Sequence, residues 1–413
     1  MELLLLSFLL IQCFVGFFLL RKLDRGFYIQ DIRLFFLCFY SLYSVFWPLM
    51  NYAFDISPVD NAYLETLFCY GLALVPFNLL LFTKKVRWCN NNSIVTISIN
   101  NTIVLSSAAF LVFFAVFFMV SAGIPVFRFG ENMANRMDYF SVVSQFWIVL
   151  NIIISTLFCL LTVKFKTFNK CQQLFFIAVV AFYILFQLSM GNRREFASFL
   201  MFVMGYILIL KRSKLNFKVL TILLCLFVGS FVVSMKRDAS TRDMTGNEAV
   251  QMALQSNEFV FPMQTTYYTI KYDWSYRFGS TYLFLPVQVL IPRAIYPGKP
   301  DSLGSEFVKK TFGSGWMAFA YTPVTEAYLN GGYLGIIIVF SLLSSFLNKL
   351  VKKANYKVDF WYLIFISLCL DWSRSEFSSI IYTLFIIWLC FFVFTKRTVT
   401  SRVELHTCES NGH

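Results

Sequence analysis

The chain has 413 residues, of which 58% are hydrophobic, 19% are aromatic and only 14% are charged. These proportions exclude an ordinary soluble domain and are typical of an integral membrane protein. The formal net charge is +13, but the basic residues are spread over many short connections. No aromatic–basic binding module accompanies them, which argues against a nucleic-acid partner.

Several segments are long and apolar enough to cross a bilayer, since about 18 such residues span roughly 30 Å of hydrocarbon. Backbone groups in lipid must be paired within the chain, and no strand alternation is visible, so helices are predicted. The first segment is not expected to be a cleaved signal peptide, because Glu2 precedes it and basic residues follow it. The sequence predicts an all-α polytopic fold with about eleven membrane helices, forming one membrane domain over residues 1–413. The predicted spans are 2–20, 34–54, 62–82, 102–122, 142–163, 173–190, 195–210, 216–235, 332–348, 358–371 and 378–395.

The charges of the connections predict the orientation of these spans. Alternate connections hold 21 of the 35 Lys and Arg residues and few acids. The positive-inside rule places this set in the cytoplasm. The N-terminus is then outside, the tail 396–413 is inside, and the long polar stretch 236–331 between the eighth and ninth spans is outside.

Cysteine and histidine narrow the chemistry expected on the outer face. Seven of the ten cysteines lie in predicted spans, and Cys89, Cys171 and Cys408 lie in cytoplasmic connections. Both histidines, His406 and His413, are in the cytoplasmic tail. The outer connections are therefore expected to hold no disulfide framework, no His-based metal site and no histidine base.

The short outer connections carry arginine and no lysine. A guanidinium group presents a fork that fits phosphate or carboxylate, whereas an ammonium group is a point charge. Arg193 and Arg194 open a predicted helix at membrane depth, where an ionisable residue is costly and the helix N-terminus favours an anion. An ion pair with Glu195 is the alternative for this turn, and snorkelling beside acids is the alternative for Arg128 and Arg136. The outer arginines are Arg128, Arg136, Arg193, Arg194 and Arg374.

Within the long outer stretch 236–331, the segment 247–260 is predicted to be helical from the spacing of its apolar residues. An aromatic run around Arg277 follows. This run is either an interfacial belt or a set of stacking platforms for sugar rings. Its rings belong to Tyr267, Tyr268, Tyr272, Trp274, Tyr276 and Tyr282.

The segment 283–300 is apolar but contains four prolines, which prevent a regular spanning helix. We interpret it as a re-entrant or interfacial segment that carries Arg293 and Lys299 toward the bilayer surface. Glu326 follows just before the ninth predicted span, close to the membrane surface. This acid is either a functional carboxylate or a solvated acid at a helix start.

At these residues the chain resembles the bacterial O-antigen and oligosaccharide repeat-unit polymerases, the Wzy class. The shared features are an Arg pair opening a mid-chain helix, a large outer loop and the segment IPRAIYPGKP at 291–300. A further shared pattern before a late span consists of Glu326, Tyr328, Asn330, Gly331 and Gly332. The likeness in topology extends along nearly the whole chain, whereas these motifs are short.

The resemblance implies a membrane glycosyltransferase of the GT-C kind in the bacterial inner membrane, with its active face in the periplasm. Such an enzyme transfers a glycan as a block, with inversion, from undecaprenyl pyrophosphate to another lipid-linked repeat unit. It releases undecaprenyl pyrophosphate and needs no nucleotide sugar, metal or other cofactor. Its partners are lipid-linked glycans, membrane lipids and a chain-length regulator protein.

This chemistry suggests roles for particular residues. Fixed guanidinium groups stabilise charge on a departing diphosphate, and we predict Arg194 and Arg293 as catalytic. The acceptor hydroxyl needs a base, and without an outer histidine Glu326 is the first choice. Asp273, Glu195 and Glu376 are the alternative carboxylates. The predicted substrate-binding residues are Arg193, Arg277, Lys299, Tyr276, Tyr328 and Arg374.

Three other functions stay open at the level of sequence. An O-antigen ligase has similar topology, but its outer loop typically carries a functional histidine, which this loop lacks. A lipid-linked oligosaccharide flippase is expected to show an intramembrane polar path and internal repeats, and the sequence displays neither. A scaffold that uses the outer loop as a receptor is the third.

Overall fold

The computed structural model describes residues 1–24, 27–28, 30–54, 58–88, 93–94, 97–121, 123, 132–189, 193–211, 259–291, 295–296, 298–313 and 320–396. Side chains are described within these ranges except at 93–94, 132–145, 193–197, 210–211, 289–290, 356–357 and 396. The predicted span 216–235, most of the predicted helix 247–260, and Arg293 lie outside the described residues.

Helices make up most of the described chain. The first seven are α1 (Glu2–Asp24), α2 (Ile32–Phe54), α3 (Asn61–Thr83), α4 (Asn101–Ser121), α5 (Asn132–Lys164), α6 (Lys170–Ser189) and α7 (Arg193–Lys211). The predicted outer stretch contains α8 (Phe261–Lys271), α9 (Ser280–Leu283), α10 (Leu285–Leu290) and α11 (Leu303–Phe312). The last four are α12 (Pro323–Tyr356), α13 (Phe360–Ser367), α14 (Cys369–Trp372) and α15 (Phe377–Phe394).

Within the described part of the chain, eight helices are long and apolar enough to cross a membrane, namely α1 to α6, α12 and α15. The predicted all-α membrane protein is confirmed at this level. The helix α7 has only a short apolar part, Ser198–Ile209. The predicted span 358–371 is wrong as one helix, because the chain divides there into α13 and α14 at Leu368, whose ψ is −4°.

Two helices begin well before the apolar segments that predicted them. The helix α5 starts at Asn132 and α12 starts at Pro323, so the predicted outer-loop residues Arg136 and Glu326 are helical. The physical reason is that a polar side chain ends an apolar segment without ending a helix. In the outer stretch, Pro286 lies in the first turn of α10, where a missing N–H donor costs little.

The outer surface of the bundle is apolar. The rings of Phe110, Phe113 and Phe117 on α4 are 67%, 71% and 62% exposed, and they follow helical spacing. Such a stripe would be unfavourable in water but is suited to contact with lipid chains. These helices therefore support a membrane-embedded protein.

The helix α3 lies at the centre of one group of helices, packing against α1, α8 and α12. Its Tyr70 hydroxyl donates to the carbonyl of Pro262 at 3.0 Å and lies 3.1 Å from the hydroxyl of Thr322. Thr325 joins this network through Thr266 at 2.6 Å. Buried hydroxyls need such partners, and here they attach α8 to both α3 and the start of α12.

A buried ionic cluster holds the opposite end of this group, which we call the basic end and define by residues 24–33, 84–88 and 348–359. Arg33 is 1% exposed and donates to both carboxylate oxygens of Asp31 and to the side chain of Asn348 at 3.0 Å. It also donates to the carbonyl of Val86 at 2.6 Å and to Asp24 at 3.5 Å. One guanidinium group thus joins the three segments that define the basic end.

Two pairs of short strands close the same region. The strand β1 (Ser93–Ile94) pairs in parallel with β3 (Lys357–Val358), and β2 (Ser98–Ile99) pairs antiparallel with β4 (Thr395–Lys396). The connection that follows α3 is therefore tied to the chain after α12 and to the end of α15. The hydropathy pattern did not predict these strands, because each has only two residues.

Replacing Arg33 with alanine is expected to destabilise the protein by about 3–5 kcal/mol, because two buried carboxylates lose their cation. The melting temperature of the purified protein in detergent, followed by tryptophan fluorescence, measures this effect. Lys22→Ala is the matched control, since Lys22 is exposed at the same end of α1. Equal melting temperatures for the two variants would contradict the structural role of Arg33.

Candidate functional site

The predicted outer-face residues meet around the first part of α12, at the end of the bundle away from Arg33, which we call the loop end. The helix α12 is broken at Gly331 (φ −171°, ψ 25°) and Gly332 (φ 57°, ψ −142°), so Pro323–Asn330 forms a separate half-helix. A Cβ atom on Gly332 would lie 3.2 Å from the hydroxyl of Tyr276. The break therefore needs glycine both for its backbone angles and for this close approach.

Glu326 lies on the buried side of the half-helix and has no exposed surface. Its Oε1 accepts a hydrogen bond from the hydroxyl of Thr281 at 2.7 Å, and its Oε2 accepts one from the backbone N–H of Phe377 at 2.7 Å. The Phe377 N–H is the first in α15 and has no partner within that helix. Glu326 is therefore not the solvated acid that the sequence left open, because α12 begins before it and turns it inward.

Asn330 completes this arrangement at the end of the half-helix. Its Nδ2 donates to the hydroxyl of Thr281 at 2.6 Å and to the carbonyl of Glu326 at 2.7 Å. Its Oδ1 accepts from the N–H of Gly279 at 2.9 Å. With Glu326, it holds residues 277–281 of the predicted outer stretch against α12 and α15.

An aromatic cluster occupies the other side of the half-helix. The carboxylate of Glu65, on α3, accepts hydrogen bonds from the hydroxyls of Tyr328 at 2.8 Å and Tyr333 at 2.7 Å. The ring of Tyr276 lies 6.1 Å from that of Tyr328. The structure thus brings together two predicted substrate-binding residues, Tyr276 and Tyr328. Sequence reasoning missed Glu65, although a lone acid inside the predicted span 62–82 was a usable signal.

Arg277 is next to this cluster and is paired with an acid. Its guanidinium group forms an ion pair with Glu306 on α11, and its backbone N–H donates to the carbonyl of Leu329 at 2.8 Å. Lys310 binds the same carboxylate at 2.8 Å and lies 4.5 Å from the centre of the Trp274 ring. Two cations share one acid, so this partly exposed patch keeps a net positive charge that suits an anion.

The other predicted residues are less accessible or lie outside the described side chains. Lys299 is 9% exposed and its Nζ donates to the carbonyl of Ile291, in the same segment, at 3.0 Å. Arg374 is partly buried in the turn between α14 and α15, with its backbone N–H bonded to the carbonyl of Asp371 at 3.1 Å. The helix α7 begins at Arg193, as predicted, but the side chains of Arg193 and Arg194 lie outside the described residues.

Glu376 joins the turn before α15 to the outer stretch. Its Oε2 accepts from the N–H of Leu303 at 2.6 Å and its Oε1 from the hydroxyl of Ser378 at 3.0 Å. Burial raises the pKa of Glu376 above its usual range, and these hydrogen bonds oppose the shift. This carboxylate joins the start of α11 to the start of α15, because it accepts from the N–H of Leu303, the first residue of α11, and Glu376 immediately precedes α15.

A cavity of about 220 Å³ lies inside the bundle between α5, α7, α13 and α15. Its polar lining was not expected, because the sequence displays no charged path through the spans. The Nδ2 of Asn151 faces this space without a hydrogen-bond partner among the described residues, and Ser198 donates to Asp371 at 3.4 Å. The polar lining consists of Asn151, Ser155, Thr156, Ser198, Ser367, Asp371, Ser379 and Thr383.

Comparison with known proteins does not assign this chain to a family. No protein-family model, no curated protein and no solved structure matches the chain. The interpretation of the site therefore depends on its own geometry and on the sequence features described above.

Gly332→Ala is expected to destabilise the loop end by about 1–3 kcal/mol, because its backbone angles are essentially restricted to glycine and its Cβ would press on Tyr276. Thermal unfolding in detergent measures the change. Gly331→Ala is the matched control, since its φ of −171° is open to any residue and a Cβ there meets no atom within 4 Å. The prediction is wrong if Gly331→Ala lowers the melting temperature as much as Gly332→Ala.

A second ionic cluster at the loop end is sensitive to pH. Asp60, the N-cap of α3, accepts from the N–H of Tyr63 at 2.9 Å, the hydroxyl of Tyr267 at 2.9 Å and the ammonium of Lys271 at 3.1 Å. Partial burial of Asp60 opposes these hydrogen bonds, but together they lower its pKa below the usual value. Hydrogen bonds from its two partners in turn raise the pKa of Lys271.

Asp60→Asn keeps the helix cap and removes the charge, so it isolates this effect. The pKa of Asp60 is lower in the folded protein than in the unfolded chain, where it is about 3.9. The contribution of the Asp60 charge to folding stability is therefore complete above a pH of about 3.9. This contribution is lost as the pH falls through the pKa of the folded protein. We expect the wild type to melt at a higher temperature than Asp60→Asn at pH 7, and the difference to vanish in strong acid. A difference that is constant between pH 7 and pH 3 would count against this assignment.

Proposed function

We propose that this protein is a membrane glycosyltransferase that polymerises lipid-linked oligosaccharide repeat units, as O-antigen polymerases do. The observation that supports this most is the meeting of Tyr276 and Arg277 with Tyr328 and Asn330 on the half-helix and with Gly332 in the break that follows it. These last three belong to the pattern on which the resemblance is based. A lipid-facing bundle with an aromatic, cationic cluster at one end suits a glycan carried on a long isoprenoid diphosphate. We assign this end to the periplasmic face of the bacterial inner membrane, from the distribution of basic residues.

In the proposed reaction, the acceptor hydroxyl oxygen forms a bond to C1 of the donor sugar while the bond from C1 to the diphosphate oxygen breaks. The bonding electrons leave with undecaprenyl pyrophosphate, the acceptor proton passes to a carboxylate, and direct displacement inverts C1. Guanidinium groups stabilise the charge that grows on the diphosphate. We assign this task to Arg193, Arg194, Arg293 and Arg277.

Glu326 fits this proposal better as a positioning residue than as the base. A base must come within about 2.6–3.2 Å of the group that it deprotonates. Glu326 has no exposed surface, and Thr281 and the N–H of Phe377 occupy its two oxygens. Its proposed task is to hold the outer stretch and α15 in place around Asn330.

A lipid-linked oligosaccharide transporter is the second candidate, and the cavity beside Asn151 and Asp371 favours it. A polar space inside a membrane bundle is unusual, and an intramembrane carboxylate is a functional candidate by default. The residues that line the cavity include none of the aromatic cluster. The two functions therefore predict different phenotypes.

Deleting the gene in its bacterial host and analysing lipopolysaccharide on a gel distinguishes these functions. A polymerase predicts loss of the long-chain ladder with a single repeat unit retained. Loss of all O-antigen would indicate the ligase or the transporter instead. An unchanged ladder would overturn the proposed function.

Complementing the deletion with Arg194→Ala or Arg293→Ala is expected to restore no ladder, because the diphosphate loses a stabilising cation. Arg87→Ala is the matched control, since Arg87 is an exposed arginine at the basic end. Immunoblotting of membranes shows whether each variant inserts normally. Normal ladders from both test variants would rule out these arginines as the diphosphate site.

A further inference from the structure

A carboxylate that the proposed reaction has not yet used lies among the tyrosines of the loop end. Glu65 is in the second turn of α3 and is partly exposed. The hydroxyls of Tyr328 and Tyr333 both donate to its Oε1, while its Oε2 accepts no hydrogen bond from any described residue. A carboxylate held by two hydroxyls and keeping one oxygen available is well placed to accept hydrogen bonds from a ligand.

Exposed aromatic rings surround this carboxylate. The side chain of Tyr333 is 42% exposed and that of Tyr276 is 48% exposed. Phe278 is 84% exposed, and its ring lies 6.3 Å from the ring of Tyr276. The rings therefore form a continuous open surface that begins beside Glu65.

The backbone of this surface is strained at Phe278, whose ring is exposed. Phe278 has a φ of 48°, which is an uncommon and strained backbone angle for a bulky residue. Contacts on both sides fix this conformation: the N–H of Arg277 bonds to Leu329, and the N–H of Gly279 bonds to Asn330. Strain that the surrounding structure maintains at an exposed ring is a feature of binding sites.

These groups match the surface of a sugar. A pyranose offers hydroxyl donors to a carboxylate and an apolar C–H face to an aromatic ring, and tyrosine provides both a ring and a hydroxyl. We propose that Glu65, Tyr276, Phe278 and Tyr333 form a saccharide-binding subsite for the acceptor glycan. The identification of this saccharide as the acceptor rests on the proposed function, whereas the subsite itself is testable without any transfer reaction.

The test measures binding of a soluble probe, the repeat-unit oligosaccharide released by mild acid from its undecaprenyl pyrophosphate carrier. Binding to the purified full-length protein in detergent is followed by saturation-transfer NMR and by quenching of intrinsic fluorescence. Glu65→Gln keeps an oxygen that accepts from the two tyrosines and removes the charge, and Tyr276→Ala removes one ring. We expect each substitution to weaken binding at least tenfold with little change in melting temperature.

The controls are Asp301→Asn and Tyr272→Ala, which alter a partly exposed acid and an exposed tyrosine at the same end but outside the cluster. Both are expected to bind the probe within twofold of the wild type. The subsite is refuted if the wild type fails to bind, if Glu65→Gln and Tyr276→Ala bind normally, or if the controls lose binding equally. Binding by the wild type together with an unchanged gel ladder after gene deletion would keep the subsite and reject the polymerase.

Discussion

The arrangement of the loop end depends on the carboxylate of Glu326. It accepts one hydrogen bond from Thr281 and one from the first N–H of α15, and its own carbonyl accepts from Asn330. Two segments far apart in the chain, at Thr281 and at Phe377, are thus attached to one half-helix. A buried carboxylate without partners would be strongly unfavourable, so these hydrogen bonds determine where the outer stretch and α15 must lie.

The basic end of the bundle also depends on a buried polar group that needs partners, but here the group is a cation. Arg33 is the buried cation there, and Asp31, Asp24, Asn348 and a backbone carbonyl are its partners. Between the two ends, α3 packs against α1 and α12 through apolar side chains. The fold is therefore a lipid-facing bundle whose two ends are each fixed by a buried ionic group.

The half-helix Pro323–Asn330 separates two kinds of polar group. Glu326 and Tyr328 are two residues apart, so they point about 200° apart around the helix axis. Glu326 faces the packed interior, whereas Tyr328 faces Glu65 and the exposed rings. Within one short motif, Glu326 therefore holds neighbouring segments in place, whereas Tyr328 lies on the side that is open to a ligand. The proposed acceptor subsite is on the open side, next to the cationic patch of Arg277.

The membrane class, most span positions and the start of a helix at Arg193 were predictable, since apolar length and helix-breaking residues act locally along the chain. The early starts of α5 and α12 were not, because polar turns continue a helix without any hydropathy signal. The burial of Glu326 was not predictable either, because its partners Thr281 and Phe377 are far from it in the sequence and no local pattern connects them to it.

The sequence by itself determined that this is a helical membrane protein and that Tyr276, Arg277 and Tyr328 belong to its long polar stretch 236–331. Only the tertiary structure decided that Glu65 joins these tyrosines, that Arg277 is paired with Glu306, and that a polar cavity opens beside Asn151. The reason is distance along the chain. Composition and periodicity report on neighbouring residues, whereas these contacts join residues that become neighbours only when the helices pack.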